Sequence, residues 1–149
     1  NVYRFVLSNI KDSELAQDAT QETFLKAYRK FSSFREQSSV NTWLTSIAIN
    51  TCKNIIRNSK NTKTDISLYD AEFHIHSTLA NSDEKLSVSE AVCSLPQEFK
   101  EVVLLKYYRD LPIKDISKIL SLPQTTVNYR LLKAKSLLKD ILKEDFFDE

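Results

Sequence analysis

The 149-residue chain contains no glycine and no methionine, and it has only three prolines, two cysteines and two histidines. Without glycine it cannot build the glycine-rich loops that cradle phosphates, so nucleotide binding through such a loop is excluded. The scarcity of glycine and proline disfavours hairpin-rich sheets and predicts helices joined by short connections. The absence of methionine, with Asn1 first, indicates that the sequence begins inside a longer protein.

The few reactive side chains offer no catalytic or metal-binding set. Cys52 and Cys93 each lie in an apolar helical pattern, which is typical of a core thiol in a reducing cytoplasm. His74 and His76 lie in a polar segment with no cysteine nearby to complete a zinc site. No nucleophile is accompanied by a base and an oxyanion site, and no apolar run reaches transmembrane length. We therefore expect a cytoplasmic protein that is not an enzyme and needs no metal or cofactor.

The net charge of +1 conceals charged segments of opposite sign. Residues 12–22 contain four acids and no base, whereas residues 26–63 contain eight bases and one acid. Residues 65–90 are acidic again, with six acids and one base, and the sequence ends in the acidic segment 144–149. Such segregation predicts two basic surfaces separated by acidic segments.

Hydrophobic periodicity divides the chain into two helical parts. In the first part, helical patterns cover residues 2–10, 13–31 and 41–58. Residues 59–83 are rich in Ser, Thr, Asn and Asp without a sustained period, which is typical of a flexible linker. A helical pattern resumes at residue 84, breaks at Pro96 and continues over residues 97–109. We predict an all-α protein of two small domains, residues 1–58 and 84–143, joined by this linker at 59–83 and followed by an acidic tail at 144–149.

The clearest functional pattern lies at residues 111–139, where two helical repeats flank a short interruption at residues 121–123. Two helices joined by so tight a turn predict a helix-turn-helix. The second helix carries four bases and no acid: Arg130, Lys133, Lys135 and Lys139. This suits a helix that enters a DNA groove, although an ordinary helical pair with a solvated basic face is the alternative. The short turn, the basic bias and the threonines at the start of the second helix favour DNA binding.

Two helices of the first part carry polar stripes at helical spacing. The acidic stripe combines two carboxylates, an amide and a leucine: Asp18, Gln21, Glu22 and Leu25. It suits docking on a basic partner helix, or it is a solvated surface. The polar stripe suits phosphates and base edges: Asn50, Lys53, Asn54 and Arg57. Trp43 is expected in the core, with a base-stacking surface as the alternative.

These segments resemble the extracytoplasmic-function sigma factors of bacterial RNA polymerase. The first domain contributes DATQETFLKAYRKFSSF and NTWLTSIAIN, and the second contributes LPQEFKEVVLLKYYRDLPIKDISKIL and TTVNYRLLKAKSLLK. The resemblance covers almost the whole chain in the right order. It implies an alternative sigma factor that binds core RNA polymerase, recognises the minus-ten and minus-thirty-five promoter elements and initiates transcription.

The resemblance also assigns roles to residues. It implies that the acidic stripe contacts the clamp helices of the polymerase's largest subunit. The minus-ten element would be read and melted by the polar stripe together with residues around the preceding loop: Arg35, Gln37, Ser38 and Asn41. The minus-thirty-five element would be read as duplex DNA by the second helix of the helix-turn-helix: Thr125, Thr126, Asn128, Tyr129, Arg130 and Lys133. Family members commonly have Gly at the position of Glu36.

The resemblance further implies an anti-sigma partner, which in this family is often membrane-bound and would then hold the protein at the membrane. A free-standing helix-turn-helix repressor or activator is the alternative function. It would use the second domain in the same way and bind duplex DNA without polymerase. It would leave both stripes of the first domain unexplained.

Overall fold

The computed structural model describes residues 1–62 and 83–147, with side chains described for residues 1–61 and 88–142. The chain divides into two compact units, Asn1–His74 and Ile75–Glu149. All regular elements within the described ranges are helical, so the all-α prediction is confirmed. His74, His76 and most of the predicted linker lie outside these ranges. The predicted domain limits therefore stay predictions.

The first unit contains three helices, α1 (Val2–Ile10), α2 (Ser13–Lys30) and α3 (Val40–Thr62), with a 3-10 turn at Phe31–Ser33. Each of the three helices packs against the other two. Their shared interior holds Phe5 and Val6 of α1, Ala16 and Ala19 of α2, and Ala48 and Ile49 of α3. The alanines of α2 let its backbone approach the neighbouring helices closely. The opposite face of α2 is exposed.

Polar side chains cap the first two helices. The side-chain oxygen of Asn1 accepts the Tyr3 amide at 3.1 Å, and Asp12 accepts the Leu15 amide at 2.9 Å. Lys11 ends α1 in the left-handed region, with φ 60°, and its amide donates to the Leu7 carbonyl. The capping satisfies amides that have no partner within a helix and fixes a connection of two residues between α1 and α2.

The second unit contains α4 (Asp83–Ser94), α5 (Gln97–Val103), α6 (Ile113–Leu120) and α7 (Gln124–Phe147), and a π-helical turn, Leu104–Tyr108, continues α5. Helix α7 packs against α4, α5 and α6. Among the described residues, the core of this unit includes Ala91, Leu95, Val102, Leu105, Ile116, Val127, Leu131 and Ala134. Pro96 and Pro112 precede α5 and α6, where a fixed φ suits a helix start.

The predicted helix-turn-helix is formed by α6 and α7. Ser121 ends α6 with φ 54°, and the Leu122 amide donates to the Ser117 carbonyl at 3.0 Å. The Ser117 hydroxyl donates to the Leu122 carbonyl, which closes the turn from its other side. These bonds hold the chain reversal that sets α7 against α6, in place of the glycine that usually ends such a helix.

Helix boundaries differ from the sequence prediction at three places. Helix α3 runs to Thr62, four residues beyond the predicted end, because propagation of a formed helix through polar residues costs little. The segment predicted as one helix over residues 97–109 changes to π geometry at Leu104. Helix α7 extends to Phe147 and so includes the first residues of the predicted acidic tail.

Candidate polymerase and nucleic-acid interfaces

The four side chains of the acidic stripe lie exposed on α2, opposite the buried Ala19, Thr23 and Ala27. Thr23 is satisfied within the core, since its hydroxyl donates to the Ala19 carbonyl at 2.7 Å. The structure thus places all four predicted polymerase-binding residues on one solvent-facing surface. Their role stays a prediction.

Glu22 of the acidic stripe has an internal cationic partner. Its carboxylate lies 2.5 Å from Lys26 Nζ, and the same ammonium donates to Thr51 Oγ1 on α3 at 3.4 Å. Half of the stripe's negative charge is therefore balanced inside the protein, and Asp18 carries the less compensated charge. Sequence reasoning missed this pair, although Glu followed by Lys four residues later is a typical helical ion pair.

An aromatic row lies beside the acidic stripe. Phe24, Tyr28 and Phe31 follow one another at spacings of four and three, and all are exposed, Tyr28 by 82%. Soluble proteins seldom leave contiguous apolar side chains in water unless these contact a partner. The aromatic row and Leu25 therefore extend the candidate protein-binding surface, and the signal for it in the sequence was the spacing of the aromatic residues.

The loop before α3 is anchored at both ends. At its start, the Trp43 ring lies 5.0 Å from the Phe34 ring and 6.4 Å, edge-on, from the Phe31 ring. At its end, Ser39 Oγ accepts the Thr42 amide at 3.1 Å and caps α3. Trp43 is half-buried against these rings and is not among the buried core residues, so the expected core position is only partly met.

The predicted minus-ten residues of this loop are presented to solvent. Arg35, Gln37 and Asn41 are exposed and Ser38 is half-buried. Glu36 adopts a left-handed conformation with φ 52°, at the position where the resembling family commonly has Gly. The loop therefore keeps a glycine-like backbone path without glycine.

The polar stripe on α3 is exposed along its length, with Asn50, Lys53, Asn54 and Arg57 all facing solvent. Arg57 donates to Asn54 Oδ1 at 3.2 Å, which aligns two of its members. Behind the stripe, Cys52 is buried and desolvation raises the pKa of its thiol to about 12. The thiol stays protonated at neutral pH and behaves as a core side chain, as the sequence predicts.

The outer face of α7 carries most of the predicted minus-thirty-five residues. Thr125, Asn128, Tyr129 and Lys133 are exposed and Thr126 is half-buried. Leu132, which sequence reasoning did not name, lies among them with 68% of its surface exposed. On the opposite face, Val127, Leu131 and Ala134 are buried against the rest of the unit.

Arg130 is the exception among these residues. Its side chain is only 20% exposed and turns toward α5, where Nη2 lies 3.6 Å from Glu98 Oε2 and Nη1 lies 3.5 Å from Glu101 Oε1. The structure therefore separates it from the exposed Lys133, with which it was grouped. No signal in the sequence identified this contact, because the partners come from another helix.

Within the described ranges, no helix is long and apolar enough to cross a membrane. The same ranges contain no group of three or more His, Cys, Asp or Glu residues that could hold a metal ion.

Comparison with known proteins places each half of the chain in a sigma-factor family. Residues 1–62 match sigma-70 region 2, and residues 85–138 match sigma-70 region 4. The sigma-H factor of Pseudomonas aeruginosa is 30% identical over 90% of this chain and 76% of its own length. The extracytoplasmic-function sigma factor SigM of Bacillus subtilis is 30% identical over all of this chain and 93% of its own length.

Solved structures agree on the fold. The sigma factor RpoE of Bartonella quintana, solved with the anti-sigma factor NepR, has a TM-score of 0.84 and 22% identity, over 99% of this chain and 91% of that one. CnrH, solved with the cytosolic domain of CnrY, has a TM-score of 0.68 and 18% identity, over 97% of this chain and 81% of that one. The two matched regions and the full-length relatives together identify the chain as an alternative RNA polymerase sigma factor that belongs to the extracytoplasmic-function family.

Proposed function

We propose that this sigma factor assigns its three exposed surfaces to three separate contacts. The acidic stripe and the aromatic row on α2 bind core RNA polymerase. The loop 35–40 and the polar stripe on α3 open the minus-ten element and hold its single strand. The outer face of α7 reads the minus-thirty-five element as duplex. The observation that carries this proposal is that both predicted DNA surfaces face solvent, one in each of the two matched regions.

The charges of the first unit support its division between protein and DNA. The acidic stripe on α2 would repel a phosphate backbone but complements a basic protein surface. Lys53 and Arg57 on α3 instead attract phosphates and release their counterions. Two helices of one small unit therefore present opposite charges, which suits a protein that lies between the polymerase and the promoter.

Strand opening needs a surface that compensates for lost base stacking. Extruding a base costs a few kcal/mol, and the protein must offset this with a pocket and with basic contacts along the strand. The loop 35–40 can supply such a pocket because its aromatic anchor and the Ser39 cap hold both ends in place. Arg35 at the loop and Arg57 on α3 supply charge on either side.

Run-off transcription on a promoter library tests the function directly. We expect core polymerase to initiate at a defined subset of linear duplex promoters only when this protein is added. A library with scrambled minus-thirty-five elements is the control and should yield no enriched start sites. Duplex binding without polymerase, accompanied by repression and by no new transcript, would support the repressor alternative and contradict the proposal.

We also infer an anti-sigma partner that keeps the protein inactive in the cytoplasm, held at the membrane where that partner is membrane-bound. The similar solved structures support this, because each is a sigma-factor fold in complex with a second protein, described for RpoE as an anti-sigma factor. Purification of the tagged protein from its native cells before and after membrane extraction tests the inference. A partner that lowers run-off transcription on addition is expected, and recovery of core polymerase alone under all conditions would contradict it.

A further inference from the structure

Arg130 lies in the second turn of α7 but does not share the exposure of that helix's outer face. It is 20% exposed, whereas Glu101, one of its two partners, is 8% exposed and Glu98 is 54% exposed. The guanidinium therefore bridges a buried carboxylate and a surface carboxylate. Removing a cation that pairs with a buried carboxylate is unfavourable, so this contact has a structural cost if broken.

The helical geometry of α7 also places Arg130 away from the outer face. Residues two apart on an α-helix lie about 160° apart around its axis, so Arg130 points almost opposite to Leu132. Leu132, Tyr129 and Asn128 are exposed and mark the outer face, while Val127, Leu131 and Ala134 mark the buried one. Arg130 lies on the flank where α7 meets α5, and these two helices pack directly.

We propose that Arg130 is a positioning residue that fixes α7 on α5 and neutralises Glu98 and Glu101, and that it does not read a base of the minus-thirty-five element. Without it, the exposed Glu98 carboxylate would lie uncompensated beside α7 and repel nearby DNA phosphates. Base discrimination then comes from the outer face, through Asn128, Tyr129, Leu132 and Lys133. This inference rests on the proposed minus-thirty-five function of α7.

The two roles predict different changes in sequence preference. A side chain that reads guanine through a bidentate contact contributes about tenfold discrimination at one base pair, which its removal abolishes. A positioning residue changes affinity for all sequences by a common factor and leaves the preferred bases unchanged. Lysine can keep the charge beside the two carboxylates but lacks the planar fork of arginine, so it is not a conservative replacement where arginine contacts a base bidentately.

The test is selection of duplex promoters by the reconstituted holoenzyme from a library randomised across the minus-thirty-five element. We expect Arg130→Ala to lower affinity about tenfold for every selected sequence without altering the base preferences, and Arg130→Lys to retain affinity within about threefold. The double variant Arg130→Ala/Glu98→Gln should regain part of the lost affinity, because one uncompensated carboxylate is removed. Its matched control is Arg130→Ala/Glu90→Gln, which removes an exposed carboxylate of α4 instead and should regain nothing.

Circular dichroism identifies any variant that does not fold. If Arg130→Ala is unfolded, Arg130→Lys and Arg130→Ala/Glu98→Gln still provide the test. Relaxed preference at a single base pair in Arg130→Lys would overturn the inference, as would failure of Glu98→Gln to restore affinity beyond its control. Loss of preference at one base pair in Lys133→Ala is expected instead. If the wild-type holoenzyme enriched no minus-thirty-five sequence at all, the proposed minus-thirty-five function of α7 would be wrong, and the inference about Arg130 would be wrong with it.

Discussion

At the scale of single residues, this chain forms left-handed turns without glycine. Lys11, Glu36, Asp110 and Ser121 have φ between 52° and 60°, the region that favours glycine. A side chain with a Cβ costs about 1–2 kcal/mol in this conformation, because Cβ crowds the following carbonyl. Glycine would relieve that strain but would lose more backbone freedom on folding, about 0.5–1 kcal/mol. The balance favours glycine at each position.

We predict that Glu36→Gly stabilises the first unit by about 0.5–1 kcal/mol, because it removes the left-handed strain of the loop 35–40. The single tryptophan, Trp43, lies beside this loop, so its fluorescence during urea unfolding reports on this unit. Gln17→Gly is the matched control, since Gln17 is exposed within α2 and glycine there should destabilise by about 0.5 kcal/mol. A lower unfolding midpoint for Glu36→Gly would show that the loop depends on the glutamate side chain.

Leu132 is an exposed apolar side chain on a face otherwise suited to DNA, and within the proposed function it suits an apolar group of a base. The C5-methyl group of thymine is the apolar feature of the major groove. We predict that replacing one particular thymine of the minus-thirty-five element with deoxyuridine lowers holoenzyme affinity about three- to fourfold, the equivalent of one buried methyl group. Leu132→Ala should abolish that sensitivity, whereas Ser136→Ala, an exposed position one turn further along, should keep it. Equal sensitivity in all three proteins would show that Leu132 does not contact a thymine methyl.

At the scale of helices, α2 combines a structural ion pair with a candidate binding surface. Glu22 is tied to Lys26, and Lys26 reaches Thr51 on α3, so substitution of Glu22 also disturbs packing between the two helices. A lysine at position 22 would lie one turn from Lys26, where like charges destabilise a helix by about 0.2–0.5 kcal/mol. Asp18 is therefore the cleaner position at which to test the binding role of the acidic stripe.

We predict that Asp18→Lys lowers affinity for core polymerase about tenfold or more, because it places a cation against a basic partner surface. Stability should change by no more than about 0.5 kcal/mol, since the side chain is exposed. Glu90→Lys makes the same two-unit change of charge at an exposed position on α4, away from the stripe, and should bind core polymerase normally. Titration of labelled protein with core enzyme measures this, and unchanged binding by Asp18→Lys would remove the acidic stripe from the polymerase interface.

At the scale of the whole molecule, each of the two compact units carries one of the two proposed DNA surfaces. The polar stripe belongs to the unit that matches sigma-70 region 2, and the outer face of α7 belongs to the unit that matches region 4. Substitutions in one unit should therefore impair one step of initiation and leave the other intact.

We predict a double dissociation between these surfaces. Lys53→Ala/Arg57→Ala should chiefly slow open-complex formation on duplex promoters, with a smaller defect on templates already melted at the minus-ten element. Lys133→Ala should weaken binding of the minus-thirty-five duplex and relax the base preference at one position, while core binding stays intact. If Lys53→Ala/Arg57→Ala impaired open-complex formation equally on melted and duplex templates, these residues would have no role in strand opening. A role in anchoring phosphates would remain.

The amino-acid sequence by itself determined the helical fold, the helix-turn-helix and the exposed stripes. These depend on spacings of three and four residues and on turn signals such as Ser121 to Pro123, which are local along the chain. Only the tertiary structure decided which charged side chains are available to a partner. Arg130 and Glu101 are 29 residues apart, and Lys26 and Thr51 are 25 apart, yet packing brings each pair into contact. The tertiary structure also decided the π-helical turn at Leu104–Tyr108. The same apolar periodicity suits α and π geometry, and only packing within the second unit distinguishes them.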